Sequence, residues 1–296
     1  MKKTILGLHV AEHSTQALLL AWDKGRWTLH AALEWQSELF RQVGDDTPGV
    51  DDFVERLTAF LAQQQMEVHQ AAVALDTTRL FVNTLPVNEP TESLIEDQIA
   101  WELSEYFPGS PKNAFISDYH VIPPTDSRPY SNVLMVSVRR DVVQKIQRAM
   151  SRLHLELVAM DGDHFAAESL VRLGYPETKT KHIALVGVKP ERLDMSLLRH
   201  WDVESYHYTL ATQDDHVVKD LAQFTSQHKH LETVMLFGKT LDEGLIGEIR
   251  AALSVPVELL NPFRTVSVAT TLRFNNDLTT RAFRYAPAVG VALRQK

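Results

Sequence analysis

The sequence predicts an α/β fold of two lobes, because one order of secondary structure occurs twice along its 296 residues. In the first half, three strands precede a helix, a strand and a further helix, and the second half repeats this order in shorter form. A segment over about residues 86–132 interrupts the first half alone. We therefore predict a first lobe over residues 1–176 that carries a small inserted subdomain there. A reduced second lobe should cover residues 177–296, with its C-terminal segment returning toward the first lobe.

The first lobe opens with three strands that follow one another as a meander. Apolar runs over residues 3–8, 15–22 and 26–34 predict these strands. A glycine-containing turn at residues 23–25 joins the second strand to the third. Residues 51–66 then place apolar side chains at helical spacing, with acidic residues suited to the helix N-terminus.

The inserted segment begins where Pro86 and Pro90 interrupt the pattern. Thr91 is suited to cap the helix predicted over residues 92–105. The other elements of the first half are predicted as strands over residues 71–75, 80–85, 115–122, 133–138 and 155–160, and as helices over residues 141–153 and 163–172.

A polar connector at residues 178–181 separates the two halves. The second half is predicted as strands over residues 181–188, 193–199, 203–209, 233–237 and 257–260, and as helices over residues 213–227 and 242–253. Two such lobes with a cleft between them are the layout of the actin-like, ribonuclease H-like fold. This is the fold class that we predict.

The composition is ordinary for a soluble globular protein, with 44% hydrophobic and 23% charged residues. A net charge of -8 without a long block of one sign disfavours a nucleic-acid partner. Since the chain has no cysteine, disulfides, thiolate metal sites and cysteine nucleophiles are excluded. The longest apolar runs, such as residues 183–188, are far shorter than the roughly 18 residues of a membrane span. We therefore expect no direct membrane span.

Four stretches, in chain order, resemble PilM-type pilus assembly proteins. Residues 95–122 resemble the family's helix that ends in E-L-x-x-Y-x-P and leads to a D-Y strand. Residues 133–170 resemble the next strand and helix, followed by the x-x-V-D-x-x-x-F-A block. L-L-N-P-F at residues 259–263 and A-P-A-V-G-V-A-L-R at residues 286–294 resemble the N-P-F motif and the closing A-x-G-L-A-L-R.

This resemblance implies an actin-like fold related to FtsA and a place in the type IV pilus machine, in the cytoplasm beneath the inner membrane. It also implies a partner, the short cytoplasmic N-terminal tail of a PilN-type bitopic inner-membrane protein. Members of the family commonly bind ATP. A related actin-like domain serves type II secretion, so the system that is served stays open, as does a homo-oligomer.

The first phosphate hairpin of the family, which resembles G-I-D-I-G-S-S-S, falls on residues 7–15. There the metal-facing Asp becomes His9 and the glycine of close approach becomes Ala11. The carboxylate matters because Mg²⁺ prefers oxygen ligands. The glycine matters because backbone amides must come up to the phosphate.

The second phosphate hairpin, which resembles D-I-G-A-E-T-T-D, falls on residues 187–194. Its Asp becomes Gly187, its Gly becomes Lys189, and Pro190 removes an amide donor. The adenosine-contacting G-G-G turn retains only Gly238, while Asp163 lies where actin-like proteins often hold a carboxylate. We therefore expect a degenerate cleft with no catalytic residue, no metal and no cofactor, the alternative being a site that still binds ATP and Mg²⁺.

Three other motifs are weighed against ordinary structural roles. Gly238–Thr240 lies between a strand and a helix like a Walker A loop, but the glycine required five residues earlier is Thr233. Pairs such as His9 and His13, or His228 and His230, lack a full ligand shell at familiar spacing. Asp161 and Asp163 form a carboxylate pair or, more simply, a turn and helix cap.

The inserted segment offers a partner surface. Trp101, Phe107, Tyr119 and Val121 either pack in its core or line a groove for an apolar and basic tail. Glu102 belongs to a set of acids that would supply complementary charge or form a solvated face; the others are Glu96, Asp97, Glu105 and Asp118. A tail could also add a strand to an exposed sheet edge.

Three functions follow as hypotheses. The first is a non-catalytic, PilM-like scaffold that captures the tail of a PilN-type protein. The second is an ATP-binding, actin-like ATPase of the same machinery, and the third is an enzyme that resembles sugar kinases. The lost phosphate carboxylates disfavour the second and third.

Overall fold

The computed structural model describes residues 3–40, 47–111, 113–125, 128–210, 214–272 and 276–294. It confirms a mixed α/β fold, built on three sheets. The strands are β1 (Lys3–Val10), β2 (Ser14–Asp23), β3 (Arg26–Gln36), β4 (Gln70–Leu75), β5 (Leu80–Val87), β6 (Phe115–Ile122), β7 (Ser131–Arg139), β8 (Glu156–Gly162), β9 (His182–Val188), β10 (Leu193–Arg199), β11 (Asp202–Thr209), β12 (Thr233–Phe237), β13 (Val257–Leu259) and β14 (Val266–Val268). The helices are α1 (Thr47–Ala62), α2 (Glu92–Tyr106), α3 (Arg140–Arg152), α4 (Asp163–Gly174), α5 (Asp214–Gln227), α6 (Glu243–Ala252), α7 (Asn276–Thr280) and α8 (Ala286–Leu293).

Two sheets have the same strand order, and they correspond to the two halves of the sequence in which one order of strands and helices repeats. The first lobe contains the order β3-β2-β1-β4-β8, and the second contains β11-β10-β9-β12-β13. In both, three antiparallel strands are extended by two parallel strands. Helices make these parallel connections, so both faces of the central strands are covered and their sequences read as continuous apolar runs. The prediction of two similar α/β halves is therefore confirmed.

The inserted segment forms a third sheet, with the antiparallel order β5-β7-β6. Helix α2 covers one face of this sheet and buries Ile95 and Ile99 against Val133 and Met135. Because all of β5 and β7 belong to the sheet, it extends beyond residues 86–132 on both sides. Thr91 occupies the N-cap position of α2, but its side chain makes no capping hydrogen bond.

Helix α8, the last helix of the described residues, packs against β1, β4 and α4 and so lies on the first lobe. A Cβ atom on Gly7 of β1 would approach the carbonyl oxygen of Ala288 to 2.4 Å. A Cβ atom on Gly290 would lie 1.9 Å from the carbonyl oxygen of Ala166 in α4. The helix can therefore approach the sheet and α4 only because both positions are glycine.

Most predicted elements match the structure within a few residues, and the differences have simple causes. Helix α1 begins and ends four residues before the predicted range of 51–66. Strand β14 is only three residues long and pairs with β3, too short for a periodic signal. None of the helices in the described ranges is long and apolar enough to cross a bilayer.

Candidate functional site

The cleft between the lobes is bridged by the side chain of Lys189, which follows β9. Its Nζ atom lies 2.7 Å from Asp163 Oδ1, 2.8 Å from Asp194 Oδ2 and 3.4 Å from Asp76 Oδ1. It also donates a hydrogen bond to the hydroxyl oxygen of Thr77. All five residues are buried. The ammonium is thus surrounded by three carboxylates.

The acceptors of this ammonium come from both lobes. Asp76 and Thr77 follow β4, and Asp163 is the first residue of α4, while Asp194 lies in β10 of the second lobe. Thr77 strengthens the link because its hydroxyl donates to Asp194 Oδ2 over 2.6 Å. On the first-lobe side, the parallel strand β4 ends beside the start of α4, and polar side chains collect at this edge of the sheet. This explains why Asp76, Thr77 and Asp163 lie close together.

Arg192 and Tyr206 complete the second-lobe side of the network. The guanidinium of Arg192 donates from Nε to Asp194 Oδ1 over 2.8 Å and from Nη2 to the Tyr206 hydroxyl oxygen over 2.9 Å. The Tyr206 hydroxyl donates to the same carboxylate oxygen. Asp194 therefore has charged or hydroxyl donors on both of its oxygens, as a buried carboxylate requires.

The network is held in its charged form. Burial alone would lower the pKa of Lys189, but attraction to Asp163, Asp76 and Asp194 outweighs burial and raises it. Burial likewise acts to raise the pKa of Asp163, yet Lys189 and His9 hold it at about 2. Asp194 also has a pKa below its ordinary value, because Lys189, His164 and Arg192 outweigh its burial.

His9 lies beside this network, with its Nε2 atom 3.3 Å from Asp163 Oδ2. His9, Asp76 and Asp163 could offer one ligand atom each to a metal ion, since these atoms lie within 4.8 Å of one another. However, the ammonium of Lys189 contacts both aspartates of this set, and a divalent cation there would be repelled by it. With Lys189 in place, the residues present do not fit Mg²⁺.

The Asp161–Asp163 segment differs from the predicted helix cap. Gly162 occupies the N-cap position, and Asp163 is the first helical residue. Asp163 Oδ1 accepts from the backbone N–H groups of Thr77 and His164, over 3.1 and 2.8 Å. The interpretation of Asp163 as a simple cap is therefore wrong, since its carboxylate joins β4, α4 and Lys189.

The remaining cleft positions have packing roles. A Cβ atom on Gly187 would lie 2.7 Å from a ring carbon of Phe237. Gly238 has a φ of +136°, and a Cβ atom there would meet the carbonyl oxygen of Val188. Lys239 forms an ion pair with Glu34, and the Thr240 hydroxyl donates to the same Val188 oxygen over 3.0 Å. Gly238–Thr240 is thus a turn between β12 and α6. Ala11 lies in the β1–β2 turn, and its backbone N–H donates to the Ser14 carbonyl oxygen.

A cavity of about 540 Å³ lies on the face of the three-stranded sheet opposite α2. Leu134, Val136 and Val138 of β7 supply one wall, and β8, α4 and residues 201–203 supply the others. Residues 116–120 of β6 all line it, although alternate residues of a strand face opposite sides. The cavity therefore reaches around the edge of β6, which pairs with β7 on its other side.

The cavity also contains carboxyl groups. Burial raises the pKa of Asp161 to about 6 and that of Glu168 to about 8, although Arg294 counteracts burial in both cases. Arg294 forms an ion pair with Asp161. Glu168 Oε2 is shielded from solvent and has no hydrogen-bond partner among the described residues. Asp118 and Asp202 line the same cavity and are exposed.

The residues predicted for partner binding lie on the α2 side of the three-stranded sheet or at its edge. Tyr119 packs against the core beneath α2 and also borders the cavity at the edge of β6, while Phe107 contacts the rings of Phe81 and Phe115. Trp101 is 58% exposed on α2. Val121 packs against the core beneath α2, and Glu102 accepts a hydrogen bond from Asn83. Their binding role stays a prediction.

Sequence reasoning missed several residues that the structure brings together. Asp194 stands within the apolar run of β10, and a carboxylate inside a continuous buried strand was an available signal. Asp76 and Thr77 directly follow β4, at the strand end where ligand-binding side chains collect. Glu168 gave no signal, because its position on α4 resembles that of any polar helical residue.

Comparison with known proteins is consistent with this architecture. Residues 7–209 match the family model described as type IV pilus assembly protein PilM. The structure resembles that titled "PilM-PilN type IV pilus biogenesis complex", with a TM-score of 0.77, 17% identity and 98% of each chain covered. No curated protein matches the sequence.

Two other solved structures are more distant. One is a Bacteroides thetaiotaomicron protein with an actin-like ATPase fold and unknown function, with a TM-score of 0.53 and 10% identity over 88% of this chain and 91% of that chain. The other is the ethanolamine utilization protein EutJ from Carboxydothermus hydrogenoformans, with a TM-score of 0.53 and 11% identity over 98% and 89%. These similarities establish the actin-like fold alone.

Proposed function

Because this chain belongs to the family of type IV pilus assembly proteins named PilM, we propose that it works in pilus assembly by binding a protein, without using ATP. The observation that carries this proposal is the ammonium of Lys189 between Asp163, Asp194 and Asp76. A phosphate with its Mg²⁺ would need those carboxylates, and the ammonium of Lys189 already pairs with them from within the chain.

Displacing Lys189 would be costly. The charge is buried, and moving it away from its three carboxylates would leave uncompensated charges in a dry site. On the other hairpin, His9 and Ala11 replace the residues that the family uses near phosphate and metal. Both halves of the cleft thus argue for a degenerate nucleotide site.

We propose the cytoplasmic N-terminal tail of a PilN-type bitopic inner-membrane protein as the partner. The structure resembles that of a PilM-PilN complex, and nearly the whole of both chains is covered. Because that tail is cytoplasmic, it would hold this chain at the cytoplasmic side of the inner membrane.

The cavity beside β6 is the proposed binding site of the tail. An extended segment could pair its backbone with the open edge of β6 and lay alternate side chains against Leu134, Val136 and Val138. This mode combines main-chain hydrogen bonds with an apolar wall. It keeps the strand-addition hypothesis drawn from the sequence, but moves the contact surface to the face opposite Trp101.

Isothermal titration calorimetry tests both parts of the proposal. The purified chain is titrated with ATP and Mg²⁺, and separately with a synthetic peptide of the tail of the PilN-type protein from the same organism. We expect heat from the peptide and none from ATP. Micromolar ATP binding would contradict the scaffold assignment and favour an ATPase, while failure of the peptide to bind would contradict the partner assignment.

A further inference from the structure

The cavity beside β6 combines an apolar wall with a carboxyl group, that of Glu168, of which one oxygen has no hydrogen-bond partner among the described residues. The wall comes from alternate residues of β7, and Glu168 projects from α4. Its Oε2 atom is shielded from solvent and has no hydrogen-bond partner among the described residues. Since buried polar atoms in native proteins nearly always have a partner, this oxygen points to a group that the free chain lacks.

We propose that Glu168 accepts a lysine or arginine side chain of the bound tail, which makes it a specificity-determining residue of the cavity. The inference rests on the proposed function, because it assumes that the tail occupies this cavity. It adds a chemical requirement: one position of the tail must be basic and must point toward α4.

The charges around Glu168 support a cationic occupant. Asp161 of β8, Asp118 of β6 and Asp202 of β11 line the cavity with it, and His120, Arg172 and Arg294 are the basic groups. Arg294 is engaged elsewhere, since it pairs with Asp161 and donates to the Phe165 carbonyl oxygen. Arg172 is exposed at the surface. The cavity is thus lined by four acids and three basic groups.

Protonation gives the site a recognisable signature. Burial raises the pKa of Glu168 to about 8, so this carboxyl group is mostly neutral in the empty cavity at neutral pH. An arriving ammonium or guanidinium favours the ionised form, because an opposite charge lowers the pKa of a carboxyl group. Binding of the basic side chain should therefore release a proton from Glu168.

The test is a double-mutant cycle between the chain and the tail peptide, measured by calorimetry. In the peptide, each Lys or Arg is replaced in turn by Gln, and in the chain Glu168→Gln removes the charge. The neutral amide resembles the protonated carboxyl group of the empty cavity, so the fold should be kept. Glu55→Gln, at an exposed position on α1, is the matched control.

We expect one peptide replacement to weaken binding to the unmodified chain about tenfold or more, because a buried charge pair is lost. In Glu168→Gln the same peptide replacement should weaken binding little further, and Glu55→Gln should behave like the unmodified chain. Titrations in phosphate and Tris buffers at neutral pH should report close to one proton released, and none in Glu168→Gln.

Two results would overturn the inference in different ways. If the peptide binds Glu168→Gln within twofold of the unmodified chain, or if the two replacements are additive, the acceptor role is wrong and tail binding stands. If the peptide does not bind the unmodified chain, the proposed function itself fails and the inference fails with it. The peptide replacements need no protein variant, so a folding defect could not mask the answer.

Discussion

The ammonium of Lys189 lies 2.7 Å from the carboxylate of Asp163, across the cleft that separates the two lobes. One residue follows β9 in the second lobe, and the other begins α4 beside the first-lobe sheet. The contact is buried on both sides. It makes a buried salt bridge a central connection between the two lobes.

Removing the charge of Lys189 should destabilise the chain strongly. Lys189→Met leaves Asp76, Asp163 and Asp194 without their common cation, and breaking such a buried pair costs about 3–5 kcal/mol. Urea unfolding followed by circular dichroism measures the loss. Lys219→Met, at an exposed position on α5, should change the free energy of unfolding by less than about 0.5 kcal/mol. Equal effects of the two variants would mean that the network does not hold the lobes.

The variant Lys189→Ala should gain affinity for a divalent cation. With the ammonium gone, His9, Asp76 and Asp163 remain within reach of one ion, which would relieve the repulsion between the carboxylates. Millimolar Mn²⁺ should raise the melting temperature of Lys189→Ala, because a ligand that binds only the native state stabilises it. The unmodified chain should show no such rise. A similar rise in both proteins would show that Lys189 does not exclude the ion.

Glu168 should make the stability of the free chain depend on pH. The folded chain raises the pKa of this carboxyl group to about 8, so it holds the proton more tightly than the unfolded chain does. The stabilising contribution is fully present below the ordinary carboxyl pKa of about 4.5 and is lost as the pH rises through about 8. The melting temperature of Glu168→Gln minus that of the unmodified chain should therefore increase as the pH is raised from about 5 to about 9. Glu55→Gln, an exposed change on α1, should give a constant difference.

Two glycine-to-alanine changes in helices should have opposite signs. Gly290→Ala in α8 places a Cβ atom 1.9 Å from the Ala166 oxygen, and such overpacking costs about 1–3 kcal/mol. Gly247→Ala in α6 meets open space and should stabilise the chain by about 0.5–1 kcal/mol, because alanine is the better helix former. Thermal unfolding of both variants checks this. If Gly290→Ala were also stabilising, the close approach of α8 to α4 would be wrong.

Mutations can show which face of the inserted sheet binds the tail. Ile116→Glu places a charge in the cavity wall and should weaken tail binding at least about tenfold, because an apolar contact becomes a buried charge. Trp101→Ala removes an exposed ring on the α2 side and should leave the affinity unchanged. Fluorescence anisotropy of a labelled tail peptide measures both. The reverse result would favour the partner surface predicted from the sequence.

The sequence was sufficient for the fold because the repeated strand order is a local signal. β6, β10 and β12 match their predicted ranges, since apolar runs bounded by turns define them without tertiary contacts. Helix α8 was not predicted: all of its residues are buried, so no polar face gives it a helical period. Its place is set by contacts with Gly7 and with α4, which no short window of sequence contains.

The site was harder to predict than the fold. The replacements at His9, Gly187 and Lys189 indicated an altered cleft, but a local motif treats Lys189 as a lost glycine. Its role depends on Asp76, Asp163 and Asp194, which are distant in sequence and meet only when both lobes are built. The cavity likewise depends on which face of the small sheet α2 covers.

Lys189 also has a consequence for how this protein can be controlled. A nucleotide in a cleft can be exchanged or hydrolysed, so the angle between two lobes can follow the energy supply of the cell. The side chain of Lys189, in contrast, is covalently part of the chain and cannot be exchanged. The cavity beside β6 takes residues 201–203 from the second lobe and β8 from the first, so fixing the lobes fixes its width. Under the proposed function, its response to a partner should then be the same in a starved cell as in a growing one.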